Sequence, residues 1–265
     1  MPDSKTQHLD VGTGANRRRI AVLRDEGRAP CLLWLPGFNS DMVSTKATAL
    51  SEWAREKGLA CTRFDYSGHG QSEGRFEDGT LTRWLEETRA VFTQRTEGPV
   101  VVLGSSMGGY IALLLLRQLM AEAPNEAARI KALVLIAPAW DMTEELMWKE
   151  FPDEIRQEIM EKGVWLRPSA YGEPYPITRG LIEDGRRHLI GGQPWDPGRP
   201  IYILHGQQDV DVPWEHTLEL ERFLTGGWTR VTAVPDGDHR LSRPEDLQLL
   251  FGVLDQIVSS AGRAS

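Results

Sequence analysis

The stretch Gly98-Pro99-Val100-Val101-Val102-Leu103-Gly104-Ser105-Ser106-Met107-Gly108-Gly109-Tyr110 constrains this chain more than any other. Its β-branched first half reads as a short strand. After Gly109 the run Tyr110-Ile111-Ala112-Leu113-Leu114-Leu115-Leu116 reads as an apolar helix. Between them lies Gly104-x-Ser106-x-Gly108, a pattern that in this strand–turn–helix context lifts a serine hydroxyl to the tip of a sharp, strained turn. The residues two before and two after that serine are pressed together where strand meets helix, so only small side chains fit there. The helix N-terminus beneath Ser106 points free N–H groups towards any negative charge that develops. A bare Gly-x-Ser-x-Gly also reads as a plain small-residue turn. The flanking strand and helix favour a nucleophile.

Composition narrows the class. The chain has 265 residues, of which 40% are hydrophobic and 26% charged, an ordinary globular balance able to bury a sizeable core. A formal net charge of −8 disfavours nucleic acid or an anionic membrane as main partner. No apolar run approaches the roughly 18 residues of a spanning helix. Met1-Pro2-Asp3-Ser4-Lys5 has no apolar signal region, which points to the cytoplasm. Arg17-Arg18-Arg19 reads as a solvated turn. Cys31 and Cys61, each opening a strand, read as buried free thiols of a reducing compartment.

Along the chain, Ile20–Leu23, Pro30–Leu35, Ala60–Phe64, Ala132–Ala137, Pro200–Leu204 and Arg230–Val234 read as strands. Helical periodicity fills the intervals, with Leu50, Trp53 and Ala54 on one helix and Leu81, Trp84, Leu85 and Phe92 on another. Thr80 is the expected N-cap of the second. Ser242-Arg243-Pro244-Glu245 resembles a capping box opening a last helix with Leu247, Leu250, Phe251, Leu254 and Ile257 inward. Alternating strands and helices predict a parallel-sheet α/β fold. The alternation breaks after Pro138. Residues 139–198 carry a helical stretch, Met142 to Lys162, then a segment rich in Pro, Gly, Tyr and Trp. They are either a surface excursion with its own small core or a cap walling an apolar pocket over Ser106. In the second case Trp140 and Trp165 line that pocket.

In chains built on such an elbow, an acid and then a base follow the serine, each on a loop beyond a strand's C-terminal end. Asp209 lies just past the strand ending at Leu204, and His239 just past the one ending at Val234. Asp211, two residues beyond Asp209, competes with it. Of the other histidines, His205 is expected to satisfy backbone groups in its turn. His69 could line the site's mouth, and His8, His188 and His216 read as surface residues. An oxyanion would be held by the N–H of Met107, after the nucleophile, and by that of Phe38 in Leu35-Pro36-Gly37-Phe38.

With these residues in view, the chain resembles an α/β-hydrolase, and more narrowly the family of the mitochondrial abhydrolase domain-containing protein ten. The resemblance rests on Leu35-Pro36-Gly37-Phe38, Thr45-Lys46-Ala47, Arg63-Phe64-Asp65-Tyr66-Ser67-Gly68 and the elbow. It extends through Lys162-Gly163-Val164-Trp165, Leu204-His205-Gly206 with Asp209, Val212-Pro213-Trp214 and Asp238-His239-Arg240. It implies one domain over residues 1–265, with a mostly parallel eight-stranded sheet, helices on both faces and a cap at about 139–198. It also implies a Ser106–Asp209–His239 triad acting on esters or thioesters, S-palmitoylated proteins and acyl glucuronides among them. No metal or organic cofactor is implied, and the missing transit segment suggests a bacterial relative. Lactone or C–C hydrolysis on the same triad, a ligand-binding domain without turnover, and a docking surface built from the cap tryptophans are the competing readings.

Overall fold

The computed structural model describes residues 5–168 and 173–261; residues 1–4, 169–172 and 262–265 lie outside this description. Eight strands form one sheet: β1 (Gln7–Val11), β2 (Arg18–Asp25), β3 (Arg28–Leu35), β4 (Leu59–Phe64), β5 (Val100–Ser105), β6 (Ile130–Ile136), and two more after the excursion. Those two span Ile201–Gly206 and Thr229–Val234, and a hairpin of β7 (Val164–Arg167) and β8 (Tyr175–Thr178) precedes them, so they are β9 and β10. The order across the sheet is β1-β2-β4-β3-β5-β6-β9-β10. Within this sheet, among the described residues, only the pairings of β1 with β2 and of β2 with β4 are antiparallel.

The inner strands are apolar on both faces because helices cover both. Leu33, Leu35, Val102, Leu133, Leu135, Ile201 and Ile203 point to the face packed by α2 (Leu81–Arg95) and α3 (Met107–Glu122). Their neighbours Leu32, Trp34, Val101, Leu103, Val134 and Leu204 point to the face packed by α1 (Thr45–Glu56) and the C-terminal helix, Pro244–Ala261. This alternation within a continuous apolar run is the period-two geometry of a doubly covered strand. Cys31 and Cys61 are both free and buried in it.

Local signals behave as their chemistry dictates, with two exceptions. Thr80 caps α2, its Oγ1 accepting the Arg83 N–H at 3.3 Å. The expected capping box at Ser242 does not form. Ser242 Oγ donates to the Arg240 carbonyl instead, and Asp246 reaches back to the Arg243 N–H at 3.0 Å. Asp246 also holds the Arg243 guanidinium, so an ion pair takes the place of the hydroxyl cap. The helix expected over Met142–Lys162 is broken in two, a π-helical turn at Glu144–Trp148 and a helix at Asp153–Lys162. Pro152 cannot donate a backbone hydrogen bond, so it begins the second segment rather than continuing the first.

The segment between β6 and β9 is tied back to the body of the fold at separate points. These elements are α5 (Asp153–Lys162) and α6 (Arg179–Gly185), following the short α4 (Pro124–Ala127). Thr82 of α2 donates its N–H and hydroxyl to the Asp184 carboxylate, both at 2.8 Å. Trp140 and His216 of α7 (Trp214–Phe223) bond reciprocally: each ring N–H donates to the other's carbonyl at 2.8 Å, and the rings stack 4.3 Å apart.

The sharpest close approach lies under the elbow. A Cβ on Gly108 would stand 2.1 Å from the Leu35 carbonyl oxygen, and one on Gly104 would stand 2.3 Å from that of Gly108. Gly252, exposed in the last helix, α8 (Pro244–Ala261), has nothing within 4 Å of such a Cβ. Gly108→Ala is therefore expected to destabilise the fold by about 2–3 kcal/mol. Gly252→Ala is expected to stabilise it by roughly 0.5–1 kcal/mol. Urea denaturation midpoints of the two variants should move in opposite directions.

Candidate active site

Ser106 sits between β5 and α3 at φ 53, ψ −118, a conformation that costs on the order of 1–3 kcal/mol for a non-glycine residue. The surrounding backbone holds it there. The Ser106 N–H donates to Ile136 O at 2.8 Å, and Ser106 O accepts from Gly109 at 3.0 Å and Ala139 at 3.1 Å. The hydroxyl is half-buried at the floor of a cavity of about 280 Å³. Phe38, Ala139, Met142, Leu146, Met147 and Val212 supply its apolar wall, and Lys46, Arg167 and Arg240 its basic one.

His239 lines the same cavity. Its Nδ1 lies 2.7 Å from Asp209 Oδ2. Asp209 is buried at the end of β9, and its other oxygen accepts the N–H groups of Asp211 and Val212, both at 2.9 Å. Burial opposes its charge. The histidine bonds from His205 and His239, the charge on His239 and the Val212 N–H outweigh that opposition and hold the carboxyl well below the usual carboxylate range. Asp211 also lines the cavity, but it is exposed, and its backbone rather than its carboxylate meets Asp209. Ligand atoms of Asp209, Asp211 and His239 lie within 4.8 Å of one another. Both oxygens of Asp209 are already committed to N–H donors, which leaves that cluster poorly suited to a cation.

The two residues expected to donate to an oxyanion lie next to the serine in the chain or in the cavity lining. Met107 opens α3, and Phe38 follows Gly37, where a Cβ would press to 3.3 Å from Ser105 O. Among the described residues, neither N–H has a hydrogen-bond acceptor. The loop carrying Phe38 is braced by His69, whose Nε2 accepts the Asn39 N–H at 3.2 Å while Nδ1 faces Ser67 O at 3.2 Å. The Phe38 ring meets Phe76, Trp84 and, from the excursion, Tyr175.

The expected aromatic wall does not form. Trp140 is buried between the start of the excursion and α7, against His216 and Phe223, and Trp165 packs on Phe151 at 5.2 Å. Neither lines the cavity, where Met142, Leu146, Met147 and Tyr175 stand instead. Trp148 and Trp195 also pack against the core, so these four indoles offer no exposed patch for docking. His216, expected at the surface, is buried, and His188 is only partly exposed, bonded to Thr82 Oγ1 at 2.7 Å. His8 is exposed. His205 does bond a carbonyl in its turn, Val212 O at 2.9 Å, but its Nε2 also stands 3.4 Å from Asp209 Oδ2. Residue spacing alone could not reveal that second contact. The Leu-His-Gly-x-x-Asp run, which brings both side chains to one strand end, was the available signal.

Burial lowers both His69 and His216 to about 4, so each ring is neutral when folded. Between that value and the usual histidine range near 6.5, only the unfolded chain takes up the proton, so these rings make stability fall as pH falls. The size is on the order of 2–3 kcal/mol per ring across the window. Buried Asp65, Glu87 and Asp141, raised by desolvation, push the other way. The readout is therefore a difference. His69→Gln and His216→Gln should each flatten the loss of urea midpoint between pH 6.5 and 4 relative to the parent chain. Identical slopes in all three proteins would refute the assignment.

Comparison with known proteins accords with this architecture. Residues 32–247 match the model of the alpha/beta hydrolase family. A human protein named mitochondrial palmitoyl-protein thioesterase ABHD10 is 32% identical over 241 residues, covering 90% of this chain and 76% of its own. A crystal structure of an Agrobacterium vitis S4 protein superposes with a TM-score of 0.92 at 40% identity, over 97% of this chain and 99% of that one. Mouse alpha/beta hydrolase domain-containing protein 10 superposes with a TM-score of 0.84 at 29% identity, over 97% and 100%. With the β-sheet order, the elbow and the matched span all in agreement, the chain belongs to the alpha/beta hydrolase family.

Proposed function

We propose that this protein is a serine hydrolase that cleaves carboxylic esters or thioesters through an acyl-enzyme on Ser106. The observation that carries the reading is the meeting, in one cavity, of a strained serine with a histidine whose far nitrogen is bonded to a buried carboxylate. In this scheme Ser106 Oγ attacks the acyl carbonyl while His239 Nε2 takes its proton. Asp209 keeps the proton on Nδ1 and stabilises the imidazolium. The Phe38 and Met107 N–H groups receive the oxyanion. Collapse breaks the carbonyl–leaving-group bond, and His239 returns the proton to the departing alcohol or thiol. A water, deprotonated by His239, then attacks the acyl carbon and frees the carboxylic acid and Ser106.

The cavity, about 280 Å³, is at the low end of small-molecule sites, which supports small or medium acyl groups. Arg167 and Arg240 in its wall favour a leaving group that carries a carboxylate, as an acyl glucuronide does. An S-acylated protein, the substrate named for the mitochondrial relatives, is the alternative partner for the same reaction. In this reading the excursion over 139–198 is the cap of one hydrolase domain, and the enzyme works in a bacterial cytoplasm, unlike those relatives. No helix among the described residues is long and apolar enough to cross a membrane.

A fluorophosphonate probe tests the nucleophile. Label should attach to the parent chain and not to Ser106→Ala. On p-nitrophenyl esters of rising chain length, kcat/KM should peak at short to medium acyl groups. Asp209→Asn should lower kcat by about 10⁴-fold. Asp211→Asn should stay within a few-fold of the parent. A parent chain that a small probe reaches but does not label would end the hydrolase reading.

A further inference from the structure

One cationic side chain in the cavity wall has no part in the scheme above. Lys46 is the second residue of α1, far in sequence from the catalytic groups. Its Nζ donates to the carbonyl of Arg240, the residue after His239, and stands 3.4 Å from Ser242 Oγ. Ser242 Oγ donates to the same carbonyl at 3.0 Å. The loop so held is unusual in its own right. Leu241 has φ 42, and Asp238 Oδ1 accepts the N–H groups of Arg240 and Leu241, both at 3.0 Å.

These contacts matter because of what the histidine lacks. Nδ1 is tethered to Asp209, which restrains one edge of the ring. The direction of Nε2 also depends on where the backbone of residues 238–242 carries the Cα. Asp238 gathers the N–H groups of that loop, and Lys46 takes its carbonyl, reaching across from a different layer of the fold. We infer that Lys46 is a positioning residue, its ammonium clamping the Arg240 carbonyl and so setting the loop that aims His239 at Ser106. The inference rests on the hydrolase reading of Ser106.

The charged groups facing Lys46 come from each neighbouring element: Asp238 and Arg240 of the loop, Asp246 of α8, and Asp209 after β9. Burial, the largest influence, lowers Lys46 to about 8, with Arg240 adding to it and the three carboxylates opposing it. An ammonium makes a charge-assisted hydrogen bond to a carbonyl, roughly twice as strong as a neutral amine's. The clamp is therefore complete below that pH and weakens above it.

The test compares the parent chain, Lys46→Met and Lys46→Arg on a p-nitrophenyl ester between pH 6 and 10. Melting temperatures and fluorophosphonate labelling are followed alongside. Lys46→Met keeps the length of the stem and removes the donor. It should lower kcat by about 10- to 100-fold with KM nearly unchanged, the scale of a displaced catalytic group. Parent kcat should fall through pH 8 towards the Lys46→Met level, and Lys46→Met should lack that limb. Lys46→Arg should recover most of kcat and carry the limb to higher pH. The downfield proton resonance of His239 Nδ1–H should broaden in Lys46→Met and sharpen again in Lys46→Arg.

A Lys46→Met enzyme with parental kcat and the same alkaline limb overturns the inference. So does a raised KM at unchanged kcat, which would make Lys46 a substrate contact. If Lys46→Met does not fold, Lys46→Arg decides: a shifted limb supports the clamp and an unshifted one refutes it. A parent chain that takes no fluorophosphonate label refutes the hydrolase reading instead, and the His239 resonance still reports on the clamp.

Discussion

The structure depends on a single steric contact, the first turn of α3 driven against the end of β3. At Gly108 there is room for a hydrogen and nothing more before the Leu35 carbonyl. That contact draws the elbow and the loop after β3 together, and Phe38 of that loop lines the same cavity as Ser106. It also leaves Ser106 in a backbone conformation that few side chains adopt, and hydrogen bonds to β6 and the start of the excursion offset the strain. The geometry at Ser106 is thus a property of packing between β3, β5 and α3.

The half of the site built from Asp209 and His239 is organised differently. Asp209 and His239 ride on loops beyond adjacent parallel strands, β9 and β10, whose register brings the two loops side by side. Loops alone would leave their side chains mobile, and the structure answers with polar anchors. Two backbone N–H groups and a second histidine fix Asp209, and Asp238 and Lys46 gather the loop around His239. Burial works against the Asp209 charge, and these donors are what keep it ionised.

The excursion between β6 and β9 shows how aromatic residues mislead. A cluster of tryptophans after the break in alternation suggests a pocket lining, because pockets are rich in aromatic surface. Here the indoles fasten the excursion to the body, Trp140 by a reciprocal pair of hydrogen bonds with His216. The cavity lining from this segment falls to Met142, Leu146 and Met147, residues on a short π-helical turn and its approach. His216, expected at the surface, is buried in the same contact. An isolated histidine carries no pattern, and only the partner 76 residues away explains its burial.

From the sequence alone came much of what local chemistry carries: the elbow, the apolar double-sided strands, the Thr80 cap, and the order of serine, acid and base candidates along the chain. These are legible because strand period, glycine spacing and turn position are written over a few neighbouring residues. The tertiary structure alone decided which of Asp209 and Asp211 meets His239, where the tryptophans turn, that Met142, Leu146, Met147 and Tyr175 line the cavity, and that Lys46 reaches the carbonyl beside His239. Each of these is a contact between residues far apart in the chain. Such contacts are selected by how layers pack, and side-chain packing leaves no period in the sequence.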